Sequence, residues 1–345
     1  PLESPIVPTD THYLYFGVKN PEGVPVSLPA EGLRLYTAAR LGFAPPAATP
    51  SFTGMYFGFR GGDKIVFDGT PDVPADPFGR LVVAGAEWLE VLSGSEVEFD
   101  RTVVEAENAR VWGGSLTFSG DVSSPNFSSL GSVDISRSGL QTIPSLKLRT
   151  GAIAQLTSFN YSFVPAVVPA TNNTAVAIES DSHFQATTIV LNDAGGKVFD
   201  ASSGRGRATL GTVIVNGNAP ETDPAVIFHA TGVNSTASAF SVTSPTILTG
   251  FRGVLAQIED GATMHFQSPV SNLSNDGKMG LRANRSGTIT LHDVNSSISS
   301  IFGSAQLDWV ATTNGRIALT QNMGIQLHLN PEAHVISAQS GGKID

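Results

Sequence analysis

The feature that most constrains the fold of this chain is a short motif that recurs at a nearly fixed distance. A small residue is followed by alternating polar and apolar residues, as in Gly287-Thr-Ile-Thr-Leu291, Gly315-Arg-Ile-Ala-Leu319 and Gly342-Lys-Ile-Asp345. Alternation with a period of two is typical of β-strands, because successive side chains point to opposite faces of the strand. A fixed spacing between such strands predicts a repeat architecture, in which each repeat buries its apolar face against its neighbours.

Three sets of strand starts share one period of roughly 27 residues. Successive starts within each set are separated by nearly equal intervals, and the only clearly longer step lies in the third set, between Gly211 and Pro245. The first set comprises Ser182, Gly206, Ser235, Gly261, Gly287, Gly315 and Gly342, the second Gly196, Ala225, Gly253, Gly277, Ser304 and Ala333, and the third Gly211, Pro245, Pro269, Ser297 and Gly324. Three short strands and three turns fill one coil of this length, so the pattern predicts an all-β, three-faced parallel β-solenoid over residues 81–345.

A solenoid fits this repeat better than other β architectures do. Two other β architectures fit less well: a seven-bladed propeller repeats at ~40 to 50 residues with four strands per blade, and an aligned sandwich has no shared period. Chirality favours right-handed winding.

The alternation also assigns side chains to the inside and the outside of each coil. The residues expected to stack inward are Ile289, Leu291, Ile317, Leu319 and Ile344, and those expected in an outward column are Thr288, Arg316 and Lys343.

Residues 1–80 differ from the rest of the chain in being rich in aromatic residues and proline. They predict a separate small, β-rich N-terminal domain that caps the solenoid or attaches it to other proteins. One segment within it, Pro29–Leu41, has an apolar spacing that fits a helix. The final strand start is followed only by Lys343-Ile344-Asp345, so we expect the solenoid to continue beyond residue 345.

Composition excludes several functional classes. Only 14% of the 345 residues are charged and the net charge is −10, whereas a nucleic-acid-binding protein normally has a basic surface. The chain has no cysteine, which removes disulfides, thiolate chemistry and cysteine-ligated zinc. No apolar stretch is long enough to span a membrane, and no phosphate-binding glycine loop or Ser-His-Asp signature is visible. We therefore expect neither nucleic acid nor membrane insertion, and no metal or cofactor.

With its period and its Gly-x-apolar-x-apolar strand starts, the chain resembles the right-handed parallel β-helix proteins of the pectin-lyase-like type. That group contains polysaccharide lyases and hydrolases, autotransporter passengers, and the tailspikes and receptor-binding fibres of tailed phages. The aromatic N-terminal segment and the cysteine-free coat of Ser, Thr and Asn look most like the phage proteins. The resemblance implies a homotrimer that contacts other virion proteins through residues 1–80, but it transfers no active site.

Catalytic motifs of that group are missing from this sequence. Neither the Arg-x-Pro-x-x-Arg segment of pectate lyases nor the Asn-Thr-Asp, Asp-Asp and Gly-His-Gly motifs of polygalacturonases are present.

The candidate catalytic residues are Glu179, Asp181 and His183, whose alternate spacing would place two carboxylates and an imidazole ~6 to 7 Å apart on one strand face. The same string is also an ordinary turn with Asx hydrogen bonds, as is the similar Glu259-Asp260 pair ahead of His265.

Three further residues are candidates for carbohydrate binding: Asp308, Trp309 and Arg316. An exposed Trp309 would form a platform for a sugar ring, but if Leu307 points inward then Trp309 does too and is part of the core. The basic residues Lys278, Arg282 and Arg285 fit either an anionic polysaccharide or a solvated face.

The sequence thus predicts a structural virion component, a tailspike or tail fibre, that binds host surface glycan, with depolymerase activity left open. The alternatives are a bacterial surface adhesin of the autotransporter-passenger type and a polysaccharide lyase or hydrolase. In each case we expect the protein on a virion or at an extracellular surface.

Overall fold

The computed structural model describes the greater part of the solenoid and four short strands before it. The described residues are 13–15, 33–36, 56–59, 64–68, 81–121, 126–166, 173–202, 205–217, 225–232, 238–272, 278–292, 306–320 and 335–345.

All regular structure in the described residues is β. The strands are β1 (Tyr13–Tyr15), β2 (Leu33–Tyr36), β3 (Tyr56–Phe59), β4 (Lys64–Asp68), β5 (Leu81–Leu92), β6 (Glu96–Asp100), β7 (Thr102–Trp112), β8 (Ser115–Ser119), β9 (Asn126–Ser138), β10 (Leu146–Leu148), β11 (Ala152–Val164), β12 (Thr174–Ile178), β13 (His183–Asn192) and β14 (Lys197–Ala201). They continue with β15 (Arg207–Asn216), β16 (Val226–Thr231), β17 (Phe240–Val242), β18 (Thr246–Thr249), β19 (Arg252–Glu259), β20 (Thr263–Phe266), β21 (Val270–Asn272), β22 (Lys278–Asn284), β23 (Thr288–Leu291), β24 (Gln306–Thr312), β25 (Arg316–Leu319), β26 (Val335–Gln339) and β27 (Lys343–Ile344).

The strands form two large parallel sheets. Odd-numbered strands from β1 to β17 pair in order in a 15-stranded sheet that continues through β20 and β23 to β27, and a 12-stranded sheet runs from β2 to β26. Because the chain visits the two sheets in turn and every strand pairs with its counterpart one coil away, the fold is a parallel β-solenoid. Phe184, for example, lies opposite Ala208 in the next coil, and Ala208 lies opposite Phe240 in the coil after that. The pairing confirms the predicted all-β solenoid, with about 26 residues per turn.

Each coil has three faces, although two of them share one sheet. In β11 the first face is Ala152–Leu156 and the second is Ser158–Val164, and the ladder to β13 is interrupted between them, at Thr157. In the later coils this long strand splits: β15 pairs with β17 on the first face and with β18 on the second. The third face is the 12-stranded sheet, represented in this part of the chain by β12, β14 and β16.

The core consists of inward-facing columns in which similar side chains from successive coils lie on one another. The rings of Phe67 and Phe99 are stacked with centroids 4.7 Å apart, and Phe118 continues the stack at 5.8 Å. The same interaction recurs between Phe199 and Phe228 at 5.7 Å. Burying such side chains is the main stabilising term in a fold of this kind. The predicted inward set is confirmed: Ile289, Leu291 and Ile317 are fully buried, and Leu319 and Ile344 pack against the core.

The glycines that start strands lie where two coils approach most closely. A Cβ atom added to Gly315 would lie 1.9 Å from the carbonyl oxygen of Ala283, and one added to Gly287 would lie 2.0 Å from that of Ile258. Two residues with positive φ precede each of these glycines, such as Thr313 and Asn314 before Gly315. The repeated glycine therefore marks a left-handed corner that passes against the backbone of the preceding coil.

Some details differ from the sequence-based expectations. The apolar spacing of Pro29–Leu41 predicts a helix, but the described part of this segment, Leu33–Tyr36, is a strand, because pairing with β4 overrides the local spacing. The described strands that precede residue 81 pair in register with the two solenoid sheets, and a domain boundary at residue 80 stays a prediction, as does right-handed winding. Among the described residues no helix is long and apolar enough to cross a membrane.

In the first set of strand starts the predicted repeat is misplaced by a few residues at two steps, and in the second set Gly253 lies opposite Met279 and not opposite Gly277. Thr263 lies opposite Thr288, so Ala262 and not Gly261 is level with Gly287. Gly261 instead has a φ of 82° and occupies the second left-handed position of its corner. Ser235 lies outside the described residues, and the strand of that coil begins at Phe240.

We expect Gly315→Ala to lower the free energy of unfolding by about 1 to 3 kcal/mol, because the new methyl group has to displace the Ala283 carbonyl. Thr290→Ala, an outward position on the neighbouring strand, is the control and should change stability by less than about 0.5 kcal/mol. Thermal and denaturant unfolding followed by circular dichroism measures both. Equal stability of the two variants would contradict the close approach.

Candidate binding groove at the strand bend

A polar groove follows the bend between the first and second faces. Its volume is about 620 Å³, within the range of ligand-binding clefts. It crosses β9, β11, β13, β15 and the end of β17, and none of its 15 lining residues is charged. The lining consists of Ser129, Leu130, Gln155, Leu156, Thr157, Gln185, Ala186, Thr187, Thr188, Thr209, Leu210, Gly211, Thr212, Thr243 and Ser244.

The groove arises from a local shift in the strand alternation. In β11, Leu156 and Phe159 are both buried, and the two residues between them, Thr157 and Ser158, both face outward. The same pair of outward residues recurs at Thr187-Thr188 in β13 and at Gly211-Thr212 in β15. Two successive outward residues bend the strand, and stacking of the bends forms a continuous concave line along the solenoid.

Hydrogen bonds connect the side chains on the first-face side of the groove. Gln155 Nε2 donates to Gln185 Oε1 at 2.5 Å, and Gln185 Nε2 donates to His183 Nδ1 at 3.0 Å. Because Nδ1 accepts, the ring proton is on Nε2, which lies 3.0 Å from Thr209 Oγ1 and donates to it. The chain of bonds holds the two glutamines and the threonine in fixed positions across three coils.

His183 is neutral at physiological pH. Burial lowers the pKa of its imidazole from 6.5 to about 4, and the positive charge of Arg207 acts in the same direction. A proton on Nδ1 would also face the amide hydrogens of Gln185. The groove lining and the adjoining ring of His183 therefore offer hydroxyl and amide groups and a neutral imidazole, which exchange hydrogen bonds with other neutral polar groups.

The structure does not bring the predicted catalytic residues together as one extended face. The chain turns at Ser180 and Asp181, Asp181 has a φ of 60°, and the Ser182 amide donates to the Glu179 carbonyl. The interpretation of this string as a turn is therefore confirmed.

Each of the three side chains has its own partners. Glu179 forms an ion pair with Lys147 at 2.6 Å, and Asp181 lies 3.6 Å from Arg205. Only His183 borders the groove, through its bond to Gln185. Each of the two carboxylates thus has a cation beside it, and a catalytic role for Glu179 and Asp181 stays a prediction.

The predicted carbohydrate-binding residues lie away from the groove. Trp309 is 1% exposed and is part of the core, so its ring offers no face to a sugar. Asp308 is ion-paired with Arg282 at 2.5 Å on the third face. Arg316 is exposed in the outward column and pairs with Asp345 at 2.9 Å, which lowers the pKa of the Asp345 carboxyl. The burial of Trp309 follows from the strand alternation that also buries Leu307.

A second polar network on the third face has a structural role. His229 Nδ1 donates to Asp200 Oδ1 at 2.9 Å, and Ser202 and Lys197 approach the same carboxylate. Burial acts to raise the pKa of Asp200, but the hydrogen bond and charge of His229 outweigh it and the pKa is lowered. Because each oxygen of Asp200 has partners within the protein, the carboxylate is occupied in holding neighbouring coils together.

The groove residues were not among the predicted site residues, although the sequence contains a pattern that marks them. Pairs of consecutive outward residues interrupt the period-two alternation at Gly131-Ser132, Thr157-Ser158, Thr187-Thr188 and Gly211-Thr212. Their spacing follows the coil period. The hydrogen bonds between glutamines of different coils have no counterpart in the sequence, because they depend on the register between strands of neighbouring coils.

Comparison of the chain with protein-family models, curated proteins and solved structures finds no match. Within the described residues, no group of three or more His, Asp or Glu side chains is placed to hold a metal ion.

We expect the His183 ring to titrate with a midpoint of about 4. The unfolded chain takes up this proton near pH 6.5 and the folded chain only near pH 4, so stability falls as the pH is lowered through this window. His183→Gln should remove that part of the acid destabilisation. Proton NMR titration of the imidazole, assigned by its loss in the variant, measures the midpoint, and a value near 6.5 would contradict the burial of this ring.

Proposed function

We propose that this protein is a glycan-binding β-solenoid that recognises a neutral cell-surface polysaccharide through the groove at the strand bend. The observation that carries the proposal is an elongated cleft of about 620 Å³ whose 15 lining side chains are all uncharged. Threonine, serine and glutamine donate and accept hydrogen bonds, as sugar hydroxyls do.

The repeat of the groove suits a polymeric ligand. Neighbouring strands of a sheet are about 4.8 Å apart, so five coils provide roughly 20 Å of groove, to which each coil contributes the same strand positions. The length of one strand spacing is close to that of one sugar unit in an extended chain. A polysaccharide lying along the solenoid axis would therefore meet Thr157, Thr187, Gly211 and Thr243 at successive sugar units.

The absence of charge from the lining selects among polysaccharides. An anionic polymer needs cations to offset the loss of its hydration when it enters a cleft, and the described lining has none. A neutral ligand needs only matched hydrogen bonds. Binding should consequently change little with salt concentration, since no ion pair is screened.

The same lining favours binding over cleavage. Hydrolysis of a glycosidic bond uses two carboxyl groups placed on either side of it, and the groove-lining residues that the structure describes include neither Asp nor Glu. Incubation with a bound polysaccharide tests this point, since a fall in polymer size would require an enzyme.

The biological setting that we propose is a tailed-phage tailspike or tail fibre that acts at the virion surface as a homotrimer, with residues 1–80 contacting other virion proteins. The parallel β-solenoid and a surface covered by uncharged polar side chains support this assignment, because proteins of that class combine the same two features. Host surface polysaccharide is then the ligand of the groove.

A bulky side chain in the groove should block binding. We expect Thr187→Tyr to weaken binding to a neutral capsular or O-antigen polysaccharide by at least about tenfold, because Thr187 is exposed in the middle of the bend. Thr249→Tyr, an equally exposed position on the second face outside the groove, should bind like the unchanged protein. A glycan array followed by calorimetry at low and high salt measures the affinities.

Two outcomes would overturn the proposal. One is equal binding by Thr187→Tyr and Thr249→Tyr. The other is selective binding of anionic polysaccharides with an affinity that falls steeply as salt is added.

Homotrimer formation has a separate test. Light scattering of the purified chain should give three times its mass of 36.0 kDa. A monomeric mass at micromolar concentration would contradict the trimer but not the groove.

A further inference from the structure

A patch of exposed apolar side chains lies at the corner between the second and third faces. Among the described residues six large apolar side chains are exposed, and four of them lie at this corner: Trp112, Leu140, Ile143 and Val164. Trp112 ends β7, Val164 ends β11, and the other two lie in the turn after β9. Single exposed apolar side chains are common, whereas a cluster marks a contact surface. Together these four residues form the corner patch.

Hydrogen bonds join the three coils that carry the corner patch. The Gly139 amide donates to the Val164 carbonyl at 2.9 Å, and Gln141 Nε2 donates to the Gly114 carbonyl at 2.8 Å. The turn after β9 therefore lies against the end of β11 on one side and against the end of β7 on the other. The four side chains thus belong to one continuous surface.

A buried arginine holds the turn from the inside. Arg137 is fully buried, and its Nη1 and Nη2 donate to the carbonyls of Ile143 and Gln141, each at 2.7 Å. Ser115 Oγ donates to the Pro144 carbonyl at 2.6 Å. Because these bonds fix the backbone of the turn, little conformational entropy is lost when a partner covers its apolar side chains.

The indole at the edge of the corner patch is also held in place. The guanidinium carbon of Arg110 lies 4.3 Å from the ring centroid of Trp112, and Arg110 Nη1 donates to Glu90 at 2.7 Å. This cation–π contact covers one face of the ring, and Trp112 is still 41% exposed. A partner can therefore pack on the remaining indole surface.

The surroundings of the corner patch are uncharged. The segments 112–115, 136–145 and 162–166 contain one charged residue, Arg137, and it is buried. Since the chain has a net charge of −10, two copies repel each other wherever their acidic surfaces meet. At this corner a second copy approaches without such repulsion, whereas an acidic or basic partner finds no charge to pair with.

The shape of the corner favours three copies over two. The chain passes here from the 15-stranded sheet to the 12-stranded sheet, so the corner is a convex ridge along the solenoid axis. Two ridges touch along a single line. Three ridges around a threefold axis each touch two neighbours, so each chain has two contacts instead of one.

We propose that the corner patch is the contact through which three copies of this chain assemble, with Leu140 of each copy at the threefold axis. The inference rests on the homotrimer of the proposed function and names the surface that forms it. Mutual burial of the apolar side chains stabilises the assembly, and the serines and threonines around them form its polar rim. The groove lies at the other end of the second face and stays open to a glycan in each copy.

The absence of cysteine from the chain allows a direct test by cross-linking. Leu140→Cys is treated with a short bismaleimide at micromolar concentration. Phe127→Cys is the matched control, because Phe127 is an apolar residue 42% exposed on the first face. We expect Leu140→Cys to give a product of twice the chain mass, in a yield at least about tenfold above that of the control, since assembly raises the local concentration of the thiols. Equal yields would overturn the corner contact.

A charge in the corner patch should dissociate the assembly. Leu140→Glu brings three carboxylates together at the axis, where they repel one another. We expect light scattering to give 36.0 kDa for this variant, one third of the mass of the assembled protein, and Phe127→Glu to keep the larger mass. Circular dichroism shows whether each variant is folded, and Val164→Glu makes the same test at a second position of the patch.

The outcomes separate this contact from the proposed function. If the unchanged protein is a trimer and its mass falls in neither Leu140→Glu nor Val164→Glu, the corner contact is overturned and the homotrimer stands. A trimer that Phe127→Glu dissociates equally well overturns the corner contact too. A monomeric unchanged protein overturns both the homotrimer and the corner contact, and leaves glycan binding in the groove as it was.

Discussion

Every other property of this protein depends on the parallel register between successive coils. Backbone groups of one coil are paired with those of the coils on both sides, so equivalent side chains are forced into columns about 4.8 Å apart. Inside, the columns bring phenylalanine rings into stacking contact, as at Phe67, Phe99 and Phe118. At several corners a residue without a Cβ lets the backbones of two coils approach closely, as at Gly287 and Gly315.

The same register turns a small irregularity into an extended surface. One pair of consecutive outward residues would bend a single strand, but repetition at Thr157, Thr187 and Gly211 produces a groove along several coils. The chemistry of such a groove is repetitive, because each coil contributes an equivalent position. This suits a polymer better than a compact ligand, and the uncharged lining suits a neutral one.

The exposed indole of Trp112 has the opposite origin. Its column contains Leu92 before Trp112 and Ser136 after it, so the indole interrupts the repetition instead of continuing it. Charged side chains in the solenoid are otherwise mostly engaged with one another across coils, as Asp200 is with His229 and Asp308 with Arg282. The exposed indole, level with Ser136 in the next coil, is therefore a local departure from the repeated columns.

The sequence by itself determined the solenoid, its period and the inward columns, because alternation and glycine spacing are local properties that every coil repeats. It left Trp309 open as either a sugar platform or a core residue. At Glu179–His183 it left both a turn and an extended catalytic face open. It misplaced the corner at Gly261 by one residue and suggested a helix at Pro29–Leu41, since corner geometry and strand pairing depend on the neighbouring coil. Only the tertiary structure decided which outward side chains meet. The bond between Gln155 and Gln185 and the ion pair of Arg110 with Glu90 each join residues from neighbouring coils, and the register that aligns them is fixed by packing of whole coils.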